Sequence, residues 1–472
     1  MLKNQVLICV YYHNRSKKGN LKLLSEWRKK SGVKVMLLAN KSEDYVANYV
    51  DEVLVSDFEN QESLFKNLDE YLKNNFVQLL GAVSFGEDEV PITNRICDIY
   101  NLRGNSISSG LITRNKWMMR EALYSSDIYA PKCYKIYNLE MAEKIVKEEF
   151  LDKNKKAFLK PPIGTGSMFC TKITSIDDLR KTWNEFYLGS WEFALKDPLC
   201  NELFGFNVEN YYMVIEELLN TYICEDDMLK QLFSVHELSV DGVLNEGQLH
   251  VYGITDKLIP DDKDGREYMW RTTKLSREFQ EIIKIKAQKI TDAFGLKYGC
   301  IHYEFRLEKV SVNEADIIYN NVPVRATLLE GASRFGGAYM QTFWYEATGF
   351  DSISYLCNQA CGIISNEKNI YLNPAIMLNV WSEETGVLEE VVGYDELKNI
   401  SQKYLADFTI YDNKGDKVEF SSKSERGAGH VMFINRDINL LKDPQKEYNY
   451  GFNEIEELFM YAIKNIKLKI SK

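Results

Sequence analysis

Nothing in the 472-residue chain approaches the ~18–20 consecutive apolar residues of a membrane span. Val6-Leu7-Ile8-Cys9-Val10 is too short for a signal-peptide core and reads as a first strand. Cysteine builds no framework. The nine thiols are scattered and odd in number, with no Cys-x-x-Cys pair, so they read as reduced, mostly core groups of a cytoplasmic protein. The five histidines, His13, His236, His250, His302 and His430, show no ligand spacing. Basic residues are outnumbered: a net charge of -11 and a pI near 5.3 argue against a nucleic-acid footprint, while leaving room for a local basic nucleotide pocket. Familiar motifs are missing too. Tyr11-Tyr12-His13-Asn14-Arg15 stands where a G-x-G-x-x-G would follow the first strand, which argues against dinucleotide binding there. There is no P-loop Gly-Lys-Ser/Thr, no G-x-S-x-G elbow, no cysteine in a recognisable catalytic context and no internal repeat.

What is present is an ordinary globular composition, 45% hydrophobic and 27% charged, at a length that calls for roughly two to four domains or lobes. Apolar stretches at 5–10, 34–39, 52–56 and 79–85 alternate with amphipathic segments at 20–31 and 62–75. This βαβ rhythm predicts a small parallel sheet covered by helices. A turn at Gly86-Glu87-Asp88-Glu89-Val90-Pro91 leads into a helix at 92–100, and a second region opens with a helix at 111–124. Strands are expected at 156–160, 169–173 and 212–218, and a helix at 176–186, while 187–210 lacks clear periodicity. Alternation over 234–240 and 248–256 predicts a hairpin series turning at Asp241-Gly242. A long amphipathic helix at 276–294, ended by Gly295, precedes two further strands and a helix through 338–348.

Two carboxylates stand on those further strands: Glu304 in Ile301-His302-Tyr303-Glu304-Phe305-Arg306, and Glu330 in Leu328-Leu329-Glu330-Gly331-Ala332-Ser333-Arg334-Phe335-Gly336-Gly337. Paired strands bring such side chains onto one face, where two carboxylates need a cation, and hard oxygen ligands suit Mg²⁺ with substrate phosphates. Arg334, four residues on, is suited to an anion or a developing oxyanion; its plainer reading is a structural ion pair with one of the glutamates. Gly164-Thr165-Gly166-Ser167, four residues beyond Lys160, can cradle phosphate oxygens, though alone it reads first as a plain hairpin turn. Lys116 alone reads first as a solvated charge. Glu216-Glu217 and Glu237 serve equally as ribose acceptors or surface acids, Lys257 as a phosphate contact or a turn flank, and His302 as a core or supporting histidine. Arg266, Tyr268 and Arg271 stand equally as pocket-lining or surface residues.

Read in order over residues 5–435, these features resemble the ATP-grasp superfamily and, within it, carboxylate–amine ligases of the L-amino-acid ligase and carnosine-synthase type. Asn115-Lys116-Trp117-Met118-Met119-Arg120 is similar to the family's entry helix, Ala157-Phe158-Leu159-Lys160-Pro161-Pro162 to its lysine–proline strand, and Gly164-Thr165-Gly166-Ser167 to its phosphate-covering loop. Val214-Ile215-Glu216-Glu217-Leu218 resembles the adenine hinge, and Glu237-Leu238-Ser239-Val240-Asp241-Gly242 the strand whose glutamate binds ribose. The resemblance implies an α/β fold with α+β lobes: a Rossmann-like preATP-grasp domain at 1–110, an N-terminal lobe at 111–215 and a C-terminal lobe at 216–472. It implies Lys116, Lys160, Gly164, Gly166, Ser167, Glu216, Glu217, Leu218, Glu237 and Lys257 around ATP, Glu304 and Glu330 on Mg²⁺ (or Mn²⁺), and Arg334 as the catalytic arginine. The implied reaction joins a small carboxylate to an amine, both amino acids, through an acyl phosphate, in a homodimer. Loading an amino acid onto a carrier, or nucleotide-driven regulation without chemistry, are its alternatives.

Three departures mark this chain. Glu330-Gly331-Ala332-Ser333-Arg334 replaces the commoner Glu-x-Asn-Pro-Arg and points to the amino-acid ligase branch. Glu217 and Glu237 lie 20 positions apart, making 220–233 an excursion, and Glu304 and Glu330 lie 26 apart, so that Glu314 or Asp316 competes for the metal role. Ala338 stands where relatives carry a bulky residue, which implies a roomier acceptor site.

Overall fold

The structure, a computed structural model, describes residues 4–12, 18–41, 45–164, 166, 168–223, 228–233, 235–259, 267–337, 339–365, 371–418, 427–437 and 448–471. Among these residues the backbone forms four β-sheets. The first is built from β1 (Asn4–Tyr11), β2 (Lys34–Ala39), β3 (Glu52–Val55) and β4 (Val77–Ser84), with α1 (Lys18–Ser31), α2 (Gln61–Asn74) and α3 (Val90–Ile99) between and after them. Its order is β3-β2-β1-β4, all parallel, as the βαβ rhythm predicts. Alternate residues of β1 enter different cores: Leu7, Cys9 and Tyr11 one, Val6, Ile8 and Val10 the other. Burial on both faces explains why the strand reads as a continuous apolar run. Strand order reverses between β1 and β4, so Tyr12 and Glu87 follow strands that flank the switch-point crevice.

The helix expected at 111–124 is two helices, α4 (Ile107–Arg114) and α5 (Lys116–Ser125), broken at Asn115. Asn115 adopts an extended conformation and its side chain accepts from Trp117 N and Met118 N, capping α5. An apolar pattern that runs through both helices hides such a break; a capping asparagine reveals it. Next come β5 (Cys133–Ile136), α6 (Leu139–Ile145), β6 (Ala157–Lys160), β7 (Thr171–Ile173), α7 (Ile176–Ala194), α8 (Cys200–Phe204) and β8 (Met213–Glu217). The four strands form an antiparallel sheet, β5-β8-β6-β7. β5 and α6 were not expected, and α7 runs eight residues past its expected end because Tyr187 and Trp191 pack onto the lobe core from its last turns.

The third sheet carries β9 (Val235–Asn245), β10 (Gln248–Ile259), β11 (Met269–Thr272), β12 (Gly299–Lys309), β13 (Ile317–Tyr319), β14 (Val322–Ala332) and β15 (Ala375–Val380). Helices α9 (Arg277–Ala293), α10 (Met340–Thr348) and α11 (Ser352–Ala360) are interspersed. Then follow β16 (Gly386–Val392), α12 (Tyr394–Ser401), β17 (Leu405–Ile410), β18 (Lys417–Val418), β19 (Gly429–Ile434), α13 (Phe452–Asn465) and β20 (Lys467–Ser471). The large sheet is ordered β13-β14-β12-β9-β10-β11-β15-β19-β17, and β18-β16-β20 form a small fourth sheet. The expected turn at Asp241-Gly242 is not there. Both residues lie within β9, and the chain reverses at Glu246-Gly247, with φ of 52° and 85°, the two left-handed residues of a tight hairpin.

One core joins the first sheet to the third. Leu7, Leu24 and Trp27 share it with Phe343, Phe350, Ile353, Leu356, Met377 and Met432. Trp27 Nε1 donates to Asn358 Oδ1 at 2.7 Å. Gly81 of β4 lets α11 approach closely: a Cβ there would lie 2.4 Å from the carbonyl oxygen of Ala360.

Candidate active site

Glu304 and Glu330 are direct cross-strand partners on β12 and β14. Each holds an ammonium group: Lys257 Nζ lies 2.6 Å from Glu304 Oε1, and Lys116 Nζ 3.2 Å from Glu330 Oε1. Burial pushes the Glu304 carboxyl up, but Lys257 and His302 together hold it well below the ordinary range. His302 Nε2 is 3.3 Å from Glu304 Oε1, and its Nδ1 is 2.8 Å from Asp241 Oδ1, whose other oxygen accepts from Trp344 Nε1 at 3.0 Å. His302 is thus a supporting histidine. Asp316 and Glu314 do not join this group. Asp316 accepts from Ala326 N at 2.8 Å and pairs with Lys286 at 2.5 Å, several residues along β14 from Glu330, while Glu314 accepts from Ser311 Oγ.

Two opposed carboxylates fit a hard divalent cation that takes its remaining oxygens from phosphates and water. Among the described residues no three His, Cys, Asp or Glu converge into a closed cage. The lysines now on those carboxylates neutralise them meanwhile.

Lys116 opens α5, where its N–H donates to Pro162 O at 2.8 Å and its Nζ to Gly164 O at 3.5 Å. Lys160 ends β6 and places Nζ 2.6 Å from Glu216 Oε2. Burial lowers the Lys160 pKa, whereas for Lys116 the pull of Glu330 overcomes burial and raises it. Gly164 and Gly166 take φ of 149° and 60°, which a side chain would strain; Thr165 and Ser167 lie outside the described residues. The hinge reading needs revision in one respect. Glu216 turns its carboxylate inward to Lys160 and Arg120, and Glu217 turns to Lys155 Nζ at 2.6 Å. The N–H groups of Glu217 and Leu218 already donate to Lys132 O and Lys156 O. Glu237 on β9 lies across from Lys257 on one side and Arg306 on the other, and pairs with the Arg306 guanidinium.

Arg334 Nε donates to Glu87 Oε2 at 2.5 Å, and its Nη1 to Phe335 O at 2.7 Å. The sequence reading missed Glu87, treating it as part of a turn. Its position after the last strand of a parallel sheet, at the switch point, is the signal that could have found it. Arg114, also missed, places Nη1 3.3 Å from Glu87 Oε1 and pairs with Asp197. Burial opposes ionisation of Glu87, yet Arg334 and Arg114 keep its pKa lowered.

No protein-family model and no curated protein matches the chain in sequence. Solved structures do match. The L-amino acid ligase from Bacillus licheniformis superposes with a TM-score of 0.73 at 16% identity, covering 100% of both chains. The N5-carboxyaminoimidazole synthetase from Staphylococcus aureus complexed with ADP gives 0.63 at 14% identity, over 97% of this chain and 98% of that one. The biotin carboxylase domain dimer of Hydrogenobacter thermophilus 2-oxoglutarate carboxylase, in complex with MgADP, ADP and bicarbonate, gives 0.63 at 12% identity, over 100% and 92%. The chain has the ATP-grasp fold.

Within the ATP-grasp fold the remaining expectations sort themselves. Arg271 is not a surface residue: it is buried, with Nε 3.0 Å from Asp256 Oδ2 and Nη1 2.8 Å from Glu456 Oε1. Tyr268 packs at the edge of the core beneath α13, its ring 6.5 Å from that of Trp381. Arg266 and Ala338 lie outside the described residues. Glu267, which no sequence pattern singles out, joins Lys257 at 2.6 Å beside Glu304.

Proposed function

We propose that the protein is an ATP-dependent carboxylate–amine ligase that joins two amino acids. One observation carries this reading: Lys257 of β10 and Lys116 of α5 meet the paired Glu304 and Glu330 of β12 and β14, with Lys116 linking Glu330 to the Gly164 loop. The similarity to an L-amino acid ligase supports amino acids as substrates. A substrate carboxylate oxygen attacks the γ-phosphorus of ATP, the bond to the β-phosphate oxygen breaks, and ADP leaves. The acyl phosphate is then attacked at carbon by a deprotonated amine; the C–O bond to phosphate breaks and an amide forms. Lys116 and Lys160 neutralise phosphate charge, and Arg334, held by Glu87, donates to the oxyanion of the tetrahedral intermediate. Glu304 and Glu330 would hold Mg²⁺, which supplies charge neutralisation at the phosphates.

The test is phosphate release from ATP and Mg²⁺ across a matrix of amino-acid pairs, with mass spectrometry of products. Pair-dependent release with a product equal to both amino acids less one water is expected. ATP binding without release for any free pair would replace the acceptor with a carrier or a larger amine, and absence of ATP binding would end the reading. Arg334→Ala should lower kcat by roughly 10²–10³-fold while ATP affinity stays nearly constant, the pattern of a group used in the transition state. Glu330→Gln should abolish metal-dependent ADP release, and a fully active variant would move the metal site elsewhere.

A further inference from the structure

Arg120 is wholly buried, one turn after Lys116 on the same face of α5. Its guanidinium grips Glu216 by two bonds, Nε to Oε1 at 2.8 Å and Nη2 to Oε2 at 3.2 Å. The same Nη2 donates to Leu329 O at 2.6 Å. Leu329 precedes Glu330, and the second partner of Glu216 is Lys160. One side chain therefore ties three elements together: the helix of the first phosphate lysine, the strand of the second lysine's counter-ion, and the strand of the metal carboxylate. Its remaining nitrogen, Nη1, meets no acceptor among the described residues.

The electrostatics run the same way. Glu216 divides its charge between two cations, so Lys160 is held less tightly than in a simple ion pair. Lys160 faces Glu216 from β8, Arg120 and Lys116 from α5, and the Cys133 and Cys170 thiols. Without Arg120, Lys160 would be the cation left on Glu216, and the carboxylate would draw its ammonium toward the hinge, away from a phosphate.

We propose that Arg120 is a positioning residue, a brace that holds Glu216 and Lys160 in register with the Leu329–Glu330 strand so that the phosphate cation and the metal carboxylate face each other before nucleotide enters. The proposal rests on the ligase reading above, and specifically on nucleotide binding between these strands.

The experiment measures MgADP dissociation constants by calorimetry for the wild-type chain, Arg120→Met and Arg120→Lys, from neutral to alkaline pH. Arg120→Met should weaken binding about tenfold or more, the effect of losing one charge-assisted contact. Its alkaline loss of affinity should also move to higher pH, because a cation beside Lys160 is gone and Glu216 is freed for it. Arg120→Lys keeps the charge but cannot grip Glu216 and Leu329 O together, so affinity should fall while the alkaline limb stays. Weaker binding by Arg120→Met with an unmoved limb would reduce Arg120 to a structural residue and overturn the proposal. Should Arg120→Met fail to fold, wild-type affinity in Arg120→Lys overturns it just as well. Failure of the wild-type chain to bind MgADP is a separate result: it ends the nucleotide reading and this proposal with it.

Discussion

Asp256 and Lys257 are consecutive on β10, and strand alternation sends them to opposite faces of the large sheet. Lys257 meets Glu304 and Glu267 on the site face; Asp256 meets Arg271, His236 and Thr273 on the other, where Arg271 also reaches Glu456 of α13. Burial alone would push the Asp256 carboxyl up, but Arg271 and His236 hold it far below the ordinary range. Its stabilisation is thus present above the unfolded aspartate value near 3.9 and is lost as pH falls through the lower folded value. Asp256→Asn leaves Arg271 buried with one partner fewer, and should cost about 3–5 kcal/mol at neutral pH. Urea denaturation would show that cost shrinking toward the acid end, where wild-type Asp256 itself takes up a proton; a cost independent of pH would show that charge is not its source. The same scale explains which site residues were readable. Lys160, Glu304 and Glu330 stand out as charges beside apolar strings, whereas Lys116, following Arg114 and Asn115, reads alone as a solvated charge. Glu87 and Arg334, paired across 247 positions, share no local pattern, and only the fold brings them together.

Asn115 shows what an element boundary does for a site. Its side-chain oxygen caps α5, and its Nδ2 donates to the Tyr212 hydroxyl at 2.9 Å, so the cap fixes both the start of the helix and its seat beside β8 of the four-stranded antiparallel sheet. Lys116 is the first residue after that cap, and the direction of its side chain depends on where the helix begins. Asn115→Ala should cost ~1–2 kcal/mol by chemical denaturation and weaken nucleotide binding as well. Loss of stability with unchanged MgADP affinity would separate the cap from the site. Boundaries were the least legible part of the sequence for a physical reason. The apolar period of α4 and α5 continues across the break, and β9 carries Asp241-Gly242, a turn-like pair, in its interior. There Asp241 is satisfied by His302 and Trp344, partners that lie 61 and 103 positions away. The strands β1–β4, β6–β10, β12 and β14, by contrast, were visible, because alternation and apolar runs are local properties, while β5, β11 and the strands from β15 onward were not expected.

At the scale of the molecule the first sheet is not an independent body. Its inner face packs with α10, α11, β15 and β19 in one core, and Gly81 permits α11 to lie against β4. Gly81→Ala would set a methyl group 2.4 Å from the Ala360 carbonyl oxygen, backbone that cannot swing aside. An overpacking cost of about 1–3 kcal/mol is expected, read as a lowered urea midpoint; an unshifted midpoint would mean that the contact relaxes freely.

That shared core has a consequence in time. The chain is made from its N-terminus, so residues 4–99 leave the ribosome long before residue 360, the end of the helix that lies against β4, and longer still before β15 and β19 complete the core. At roughly 5–20 residues per second, the apolar face of β1, β2 and β4 waits on the order of 13–50 s for its cover. Nascent chains halted before residue 340 should therefore be cleaved readily within the first hundred residues and engage a holding chaperone, while chains released past residue 435 should resist. A first sheet already protease-resistant at the shorter length would mean that it folds without its later half.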